Sequence, residues 1–158
     1  MYPIALKKYR FRLQTVLDLR SSELDLARQR VADEERKRLG IQERIAQYDQ
    51  MIEQAFAEQQ QRLNDPELDI AQACEFPNYI WRIKQFRFEE YTRLEKQEKI
   101  LAEAREQLRQ FMIRKKSMDV LKTKDQERFN QKIDKLEDDF LSELALTRYH
   151  RQLLKYTH

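Results

Sequence analysis

A chain of 158 residues with a single glycine, Gly40, cannot turn often. At average usage roughly eleven glycines would be present. Compact folds with many turns need residues that tolerate positive φ, and this sequence has almost none. The residues in excess are Glu, Gln, Lys, Arg, Leu and Ala, all good helix formers. Charged residues make up 37% of the chain and hydrophobic ones 41%. The apolar residues are spread along the sequence, enough for a narrow seam and too few in any place for a globular core. Long helices pairing along a seam are the expected fold class.

The heptad supports this. With Leu17 at position a, the a series runs Leu17, Leu24, Val31, Arg38, Ile45 and Ile52, and the d series Leu13, Arg20, Ala27, Glu34, Ile41, Tyr48 and Ala55. Most are apolar, a sustained 3.5-residue repeat. Arg20, Glu34 and Arg38 interrupt it, and Gly40 costs about 1 kcal/mol relative to Ala in a helix. A soft spot is therefore expected near residues 34–40.

The stretch least suited to a helix is NDPELDIAQACEFPN, residues 64–78. It holds Pro66 and Pro77, the acids Asp65, Glu67, Asp69 and Glu75, and no Lys or Arg. It reads as a bend, with room for a short helix over 67–74 capped by Asp65 and Pro66, and with Asn78 as N-cap of the second long helix. Helix 1 is expected over about 11–63 and helix 2 over about 79–155, the last dozen residues fraying. These would be roughly 80 Å and 115 Å long. The expectation is one elongated domain over 1–158, an all-α, long antiparallel two-helix coiled-coil hairpin. Folding at residue 71 would pair positions whose numbers add to about 142, so that Phe11 meets residue 131 and the end of helix 2 overhangs.

The seam of helix 2 reads Ile80, Ile83, Leu94, Leu101, Ala104, Leu108, Phe111 or Met112, and Met118. After a basic stretch (Arg114, Lys115, Lys116, Lys122, Lys124) it resumes as Phe129, Ile133, Leu136, Phe140 and Leu144, a stripe spaced by three or four. If helix 2 overhangs, that stripe lacks an intramolecular partner, and an exposed apolar face implies an intermolecular one. A second candidate surface lies near the bend. The start of helix 2 carries Tyr79, Trp81, Phe86, Phe88 and Tyr91. A seam absorbs Ile80, Ile83 and Tyr91, but not also Trp81, Phe86 and Phe88. Trp and Tyr are favoured interface anchors, and Tyr48, Ile52 and Phe56 of helix 1 fall at the same end.

No catalytic constellation is visible. His150 and His158 lie in the tail, and no phosphate loop, dinucleotide fingerprint, zinc-protease or EF-hand spacing occurs. An enzyme is not expected, nor a metal or cofactor. The net charge of +3 does not call for nucleic acid. The basic stretch 114–124 lacks interleaved aromatics and precedes the acidic Glu137, Asp138 and Asp139. Cys74, the sole cysteine, allows no internal disulfide and suits a reducing compartment. The longest apolar run near the start is Ile4-Ala5-Leu6, too short for a membrane span or a signal peptide.

The run Phe11-Arg12-Leu13-Gln14-Thr15-Val16-Leu17-Asp18-Leu19-Arg20 resembles the start of the flagellar export protein FliJ family. Residues 114–149, a basic stretch passing into an acidic segment and ending in Arg148-Tyr149, are similar to that family's second helix. The resemblance implies a fold like the central stalk of rotary ATPases. It also implies a non-catalytic soluble role in the flagellar type III export apparatus, and hence in flagellum biogenesis, motility and chemotaxis. The implied partners are the hexameric export ATPase, the export-gate membrane protein and export chaperones. The implied location is cytoplasmic, peripheral to the inner membrane at the flagellar base, with no small-molecule substrate. On that reading the ATPase ring would meet Lys7, Lys8, Arg10, Phe11, Leu13, Leu17, Phe129, Ile133, Leu136, Phe140 and Leu144. The gate or a chaperone would meet Tyr48, Ile52, Phe56, Tyr79, Trp81, Phe86 and Phe88. A generic coiled-coil scaffold, or a stalk subunit of an injectisome or rotary ATPase, fits the same pattern.

Overall fold

The structure, a computed structural model, describes residues 8–64 and 70–156, with the backbone alone for 70, 72, 73 and 153–156. The described residues form two helices, α1 (Gln14–Leu63) and α2 (Ile70–Tyr156), with no strand among them. The chain is all-α, an antiparallel two-helix coiled-coil hairpin. It divides into two compact units, one of residues 1–22 with 112–158 and the other of residues 23–111.

The first helix follows its heptad. Leu17, Leu24, Ala27, Glu34, Ile41, Ile45, Ile52 and Ala55 are the buried positions of α1, and all lie on the a and d series. Leu13 is the exception. It sits in the turn before α1, where the amide of Gln14 donates to the carbonyl of Phe11 at 3.2 Å, and it is exposed while Phe11 is buried. The helix ends at Leu63 as expected, with a turn in which the Asn64 amide bonds the Gln61 carbonyl at 3.3 Å.

The second helix departs from expectation at its start. It begins at Ile70 and runs unbroken through Pro77, where a break had been expected. Residues 70–76 carry good helix formers. Pro77 is the eighth residue of α2, where it forfeits one backbone bond, to the Ala73 carbonyl, without stopping the helix. The early start also shifts the pairing. The numbers of residues joined between α1 and α2 add to about 135, as for Arg44 with Glu90, Asp49 with Arg87 and Arg30 with Gln107, and not to 142. The offset is one heptad. At its other end α2 continues to Tyr156, through residues expected to fray. Residues 65–69, within the expected bend, lie outside the described residues.

In the unit of residues 23–111 the seam of α2 steps by three and four: Ile80, Ile83, Arg87, Glu90, Leu94, Gln97, Leu101, Ala104, Leu108 and Phe111, each buried or half-buried. Burying a large aliphatic side chain stabilises by about 1.5–3 kcal/mol, and Ile52, Ala55, Ile80 and Ile83 form one buried cluster with Tyr48 against it. Tyr91, expected in the seam, is exposed because the buried position is its neighbour Glu90.

Candidate partner-docking surfaces

Two sets of exposed apolar side chains stand out, one in each unit. In the unit of residues 23–111, the seven residues expected at the gate or chaperone surface do not form one patch. Ile52 is buried in the Ile80–Ile83 cluster. Tyr48 packs on that cluster and stacks against Phe86, ring centroids 6.3 Å apart and planes at 27°. Phe56 lies beneath the Lys84 ammonium, 5.4 Å from the ring centroid, a cation–π contact. Tyr79 is partly exposed. Trp81 and Phe88 are the most open, at 62% and 68% exposure. They stand one heptad apart on α2, on a single face turned away from the seam.

In the other unit, the residues before α1 pack on α2. The Tyr9 hydroxyl is 3.2 Å from the Lys122 carbonyl and 3.1 Å from Asp125 Oδ2, and donates its one proton between them. Desolvation and then the bond to Asp125 hold the phenol above its ordinary pKa. Its ring meets Phe129 at 5.5 Å and 55°. The Lys122 ammonium donates to Gln14 Oε1 at 3.0 Å. Phe11 and Leu17 are buried. Phe129 and Ile133 are half-buried, and Lys8 and Arg10 are exposed. Lys7 lies outside the described residues. From Asp134 to Gln152 every side chain is exposed, including Leu136 at 59%, Phe140 at 45% and Leu144 at 38%. The expected ring-binding set thus separates into a buried part (Phe11, Leu17), a half-buried part (Phe129, Ile133) and an open apolar face on α2 flanked by Glu137, Asp138, Asp139 and Glu143. In the basic stretch, Lys115 pairs with Asp119 at 2.9 Å, and Lys116 and Lys124 are exposed.

Sequence reasoning missed a polar layer in the seam. Glu34, Glu90 and Gln97 are buried. The Gln97 amide donates to Glu34 Oε2 at 2.5 Å and to the Glu34 carbonyl at 3.1 Å, while Lys37 donates to Oε1 at 2.9 Å. The bonds from Lys37 and Gln97 hold the Glu34 carboxyl below its ordinary pKa. Glu90 receives Arg44 at 3.1 Å and Arg93 at 2.6 Å. Among the described residues no buried side-chain polar atom lacks a partner. The signal was present: counting by three and four from Ile83 reaches Glu90 and Gln97 before Leu101.

The depressions along the helices are shallow and open, among them one lined by Tyr9, Arg10, Phe11, Arg12 and Lys122. Among the described residues no group of three or more His, Cys, Asp or Glu could hold a metal, and no helix is long and apolar enough to cross a membrane.

Two paired helices with aromatic and aliphatic side chains on their exposed faces define a coiled-coil protein. The comparison with protein families narrows that class: the family model described as flagellar FliJ protein matches residues 9–154. The chain belongs to the FliJ family and is a component of flagellar protein export. Among curated proteins and among solved structures, no match was found.

Proposed function

We propose that the chain is a non-catalytic stalk of the flagellar export apparatus, bound through α2 to the hexameric export ATPase and through its aromatic face to the export gate or an export chaperone. It acts in the cytoplasm, at the inner membrane through its partners. The observation that carries this reading is the open apolar face of Leu136, Phe140 and Leu144. These residues sit beyond Ile133, where no side chain as far as Gln152 is enclosed, and an exposed apolar stripe marks a docking site. Trp81 and Phe88 supply the second surface on the same argument. Phe86 is a weaker anchor because Tyr48 already stacks on it.

The test replaces Leu136, Phe140 and Leu144 together with Glu. The variant is expected to lose capture by the export ATPase and stimulation of ATP hydrolysis, with helicity and melting temperature unchanged. Full stimulation by this variant contradicts the reading. Trp81→Ala with Phe88→Ala is expected to spare the ATPase and weaken capture of the gate protein. The scaffold alternative, in which helices pair between chains, requires a mass above the 19.4 kDa of one chain by light scattering.

A further inference from the structure

The net charge of +3 hides a segregation of charge. In the unit of residues 23–111 most cations hold a carboxylate, as Arg28, Arg44, Arg87, Arg93 and Lys99 do. In the other unit a set of cations holds none. Lys124, Arg128, Lys132 and Lys135 are exposed, and none of the four makes an ion pair with a described residue. They follow the exposed Leu121 in steps of three, four, four and three, which puts all five within an arc of about 80° on α2. Lys8 and Arg10, exposed before α1, line one shallow depression with Arg128 and Lys132. Asp125 lines it as well, with the Tyr9 hydroxyl beside it and no cation paired to it.

Lys124, Arg128 and Lys132 stand at successive i, i+4 positions, where like charges repel. No described residue of the unit offsets that repulsion, so the row is suited to an external anion. The shape of the row says which. A helix meets a plane along one line, and this row is one line, roughly 20 Å from Leu121 to Lys135. Glu127 and Asp134 stand about 100–120° round the helix from its middle, turned away from the same plane. Nucleic acid is the poorer match. No aromatic side chain stands in the row to stack on a base, since Phe129 is half-buried against Tyr9. A component of protein export works beside a membrane, and the cytoplasmic leaflet is anionic. The apolar stems of Lys and Arg suit the interface of such a leaflet, where their charged ends reach the phosphates.

We propose that Lys124, Arg128, Lys132 and Lys135, with Lys8 and Arg10, bind a membrane surface of anionic phospholipid. The contact is direct, in addition to any made through protein partners. The ammonium and guanidinium groups donate to lipid phosphates, and Leu121 enters the headgroup zone. Leu136 stands about 80° round α2 from the middle of the row, with Phe140 and Leu144 further round, so the lipid and the apolar face occupy different sides of the helix. The inference uses the setting of the chain in export and does not depend on the ATPase reading, because vesicles contain no protein.

The experiment mixes the full chain with vesicles of phosphatidylglycerol and phosphatidylethanolamine, and separately with vesicles of phosphatidylcholine alone. The bound fraction is measured by sedimentation. Binding to the anionic vesicles only, weakening as salt rises, is expected. Each Lys or Arg near such a surface contributes about fivefold in affinity. Lys124→Gln, Arg128→Gln and Lys132→Gln together should therefore bind about 100-fold more weakly, with helicity unchanged. Arg28→Gln, Arg36→Gln and Lys99→Gln together remove the same charge from paired, exposed positions and should bind as the parent does. No binding to anionic vesicles at low salt overturns the proposal, as does a control variant that loses as much as the row variant. A row variant that binds vesicles like the parent also overturns it, and loss of ATPase capture by that variant would assign the row to a protein surface.

Discussion

The same helix, α2, lives two lives. Between Ile80 and Leu108 its residues spaced by three and four are buried or half-buried against α1, and even the polar ones on that spacing are enclosed. Between Leu136 and Leu144 residues of similar spacing and greater bulk are open. Periodicity therefore announces a face and says nothing of what occupies it. In the first region the occupant is the chain itself, and the residues there carry stability. In the second they carry little of it, which leaves them available for binding.

That contrast can be broken by mutation. The largest effect on stability is expected at Ile83, the most buried of the three isoleucines of the apolar cluster. Ile83→Ala should cost about 2–5 kcal/mol, lowering the thermal midpoint by about 2–4 °C for each kcal/mol in a chain of this size. A shift no larger than that of a surface substitution would mean the seam is not the source of stability. Gly40→Ala should act in the opposite direction by about 1 kcal/mol. Its backbone is helical, and an added Cβ would find only the tip of Arg44 at 3.9 Å. A loss of stability on that substitution would contradict the ordinary helical geometry at the soft spot.

Smaller still is the acid response of the polar layer. The Glu34 carboxyl is held below its ordinary value of 4.5 by Lys37 and Gln97, with Arg30 contributing at longer range. A carboxyl depressed in the folded state stabilises above its unfolded pKa, and that contribution disappears as pH falls through the folded one. Denaturant midpoints should therefore drop on acidification below about 4.5. Glu34→Gln should flatten part of the drop, leaving the part due to the other depressed carboxyls, among them Glu95 and Glu106, which Lys99 and Arg109 hold low. An identical acid profile in the variant would remove Glu34 from the account. The smallest effect belongs to the exposed face: Leu136→Ala should change stability by less than about 0.5 kcal/mol, and a cost like that of Ile83→Ala would show that the face is occupied within the chain.

Much of the architecture was legible because helices of this length write their pairing into the heptad. The buried positions of α1 lay on the series counted from Leu17, and Leu63 ended the helix just before Asn64, Asp65 and Pro66. The errors have a common physical source. Local turn signals at Phe76-Pro77-Asn78 favour a break, and the pairing of Glu90 with Arg44 and of Gln97 with Glu34 belongs to a helix that runs through them. Those are long-range contacts invisible to any window of sequence, and the register came out one heptad away. The same blindness put Tyr91 in the seam in place of Glu90, since a buried carboxylate makes sense only beside the two arginines that neutralise it. The candidate surfaces were legible as sets of residue types but not as surfaces. Phe11, Leu17 and Ile52 turn inward, Phe86 and Phe56 have ring or cation partners, and Leu13, Tyr79, Trp81, Phe88 and the face from Leu136 to Leu144 are open.

The central claim is that the face of Leu136, Phe140 and Leu144 binds the export ATPase while the face of Trp81 and Phe88 does not. A photo-crosslinking side chain placed at Phe140, and separately at Phe88, in the full chain mixed with the ATPase hexamer tests it most directly. Adducts with the ATPase from Phe140 and none from Phe88 are the predicted result. Adducts from Phe88 alone, or from neither position, would contradict it.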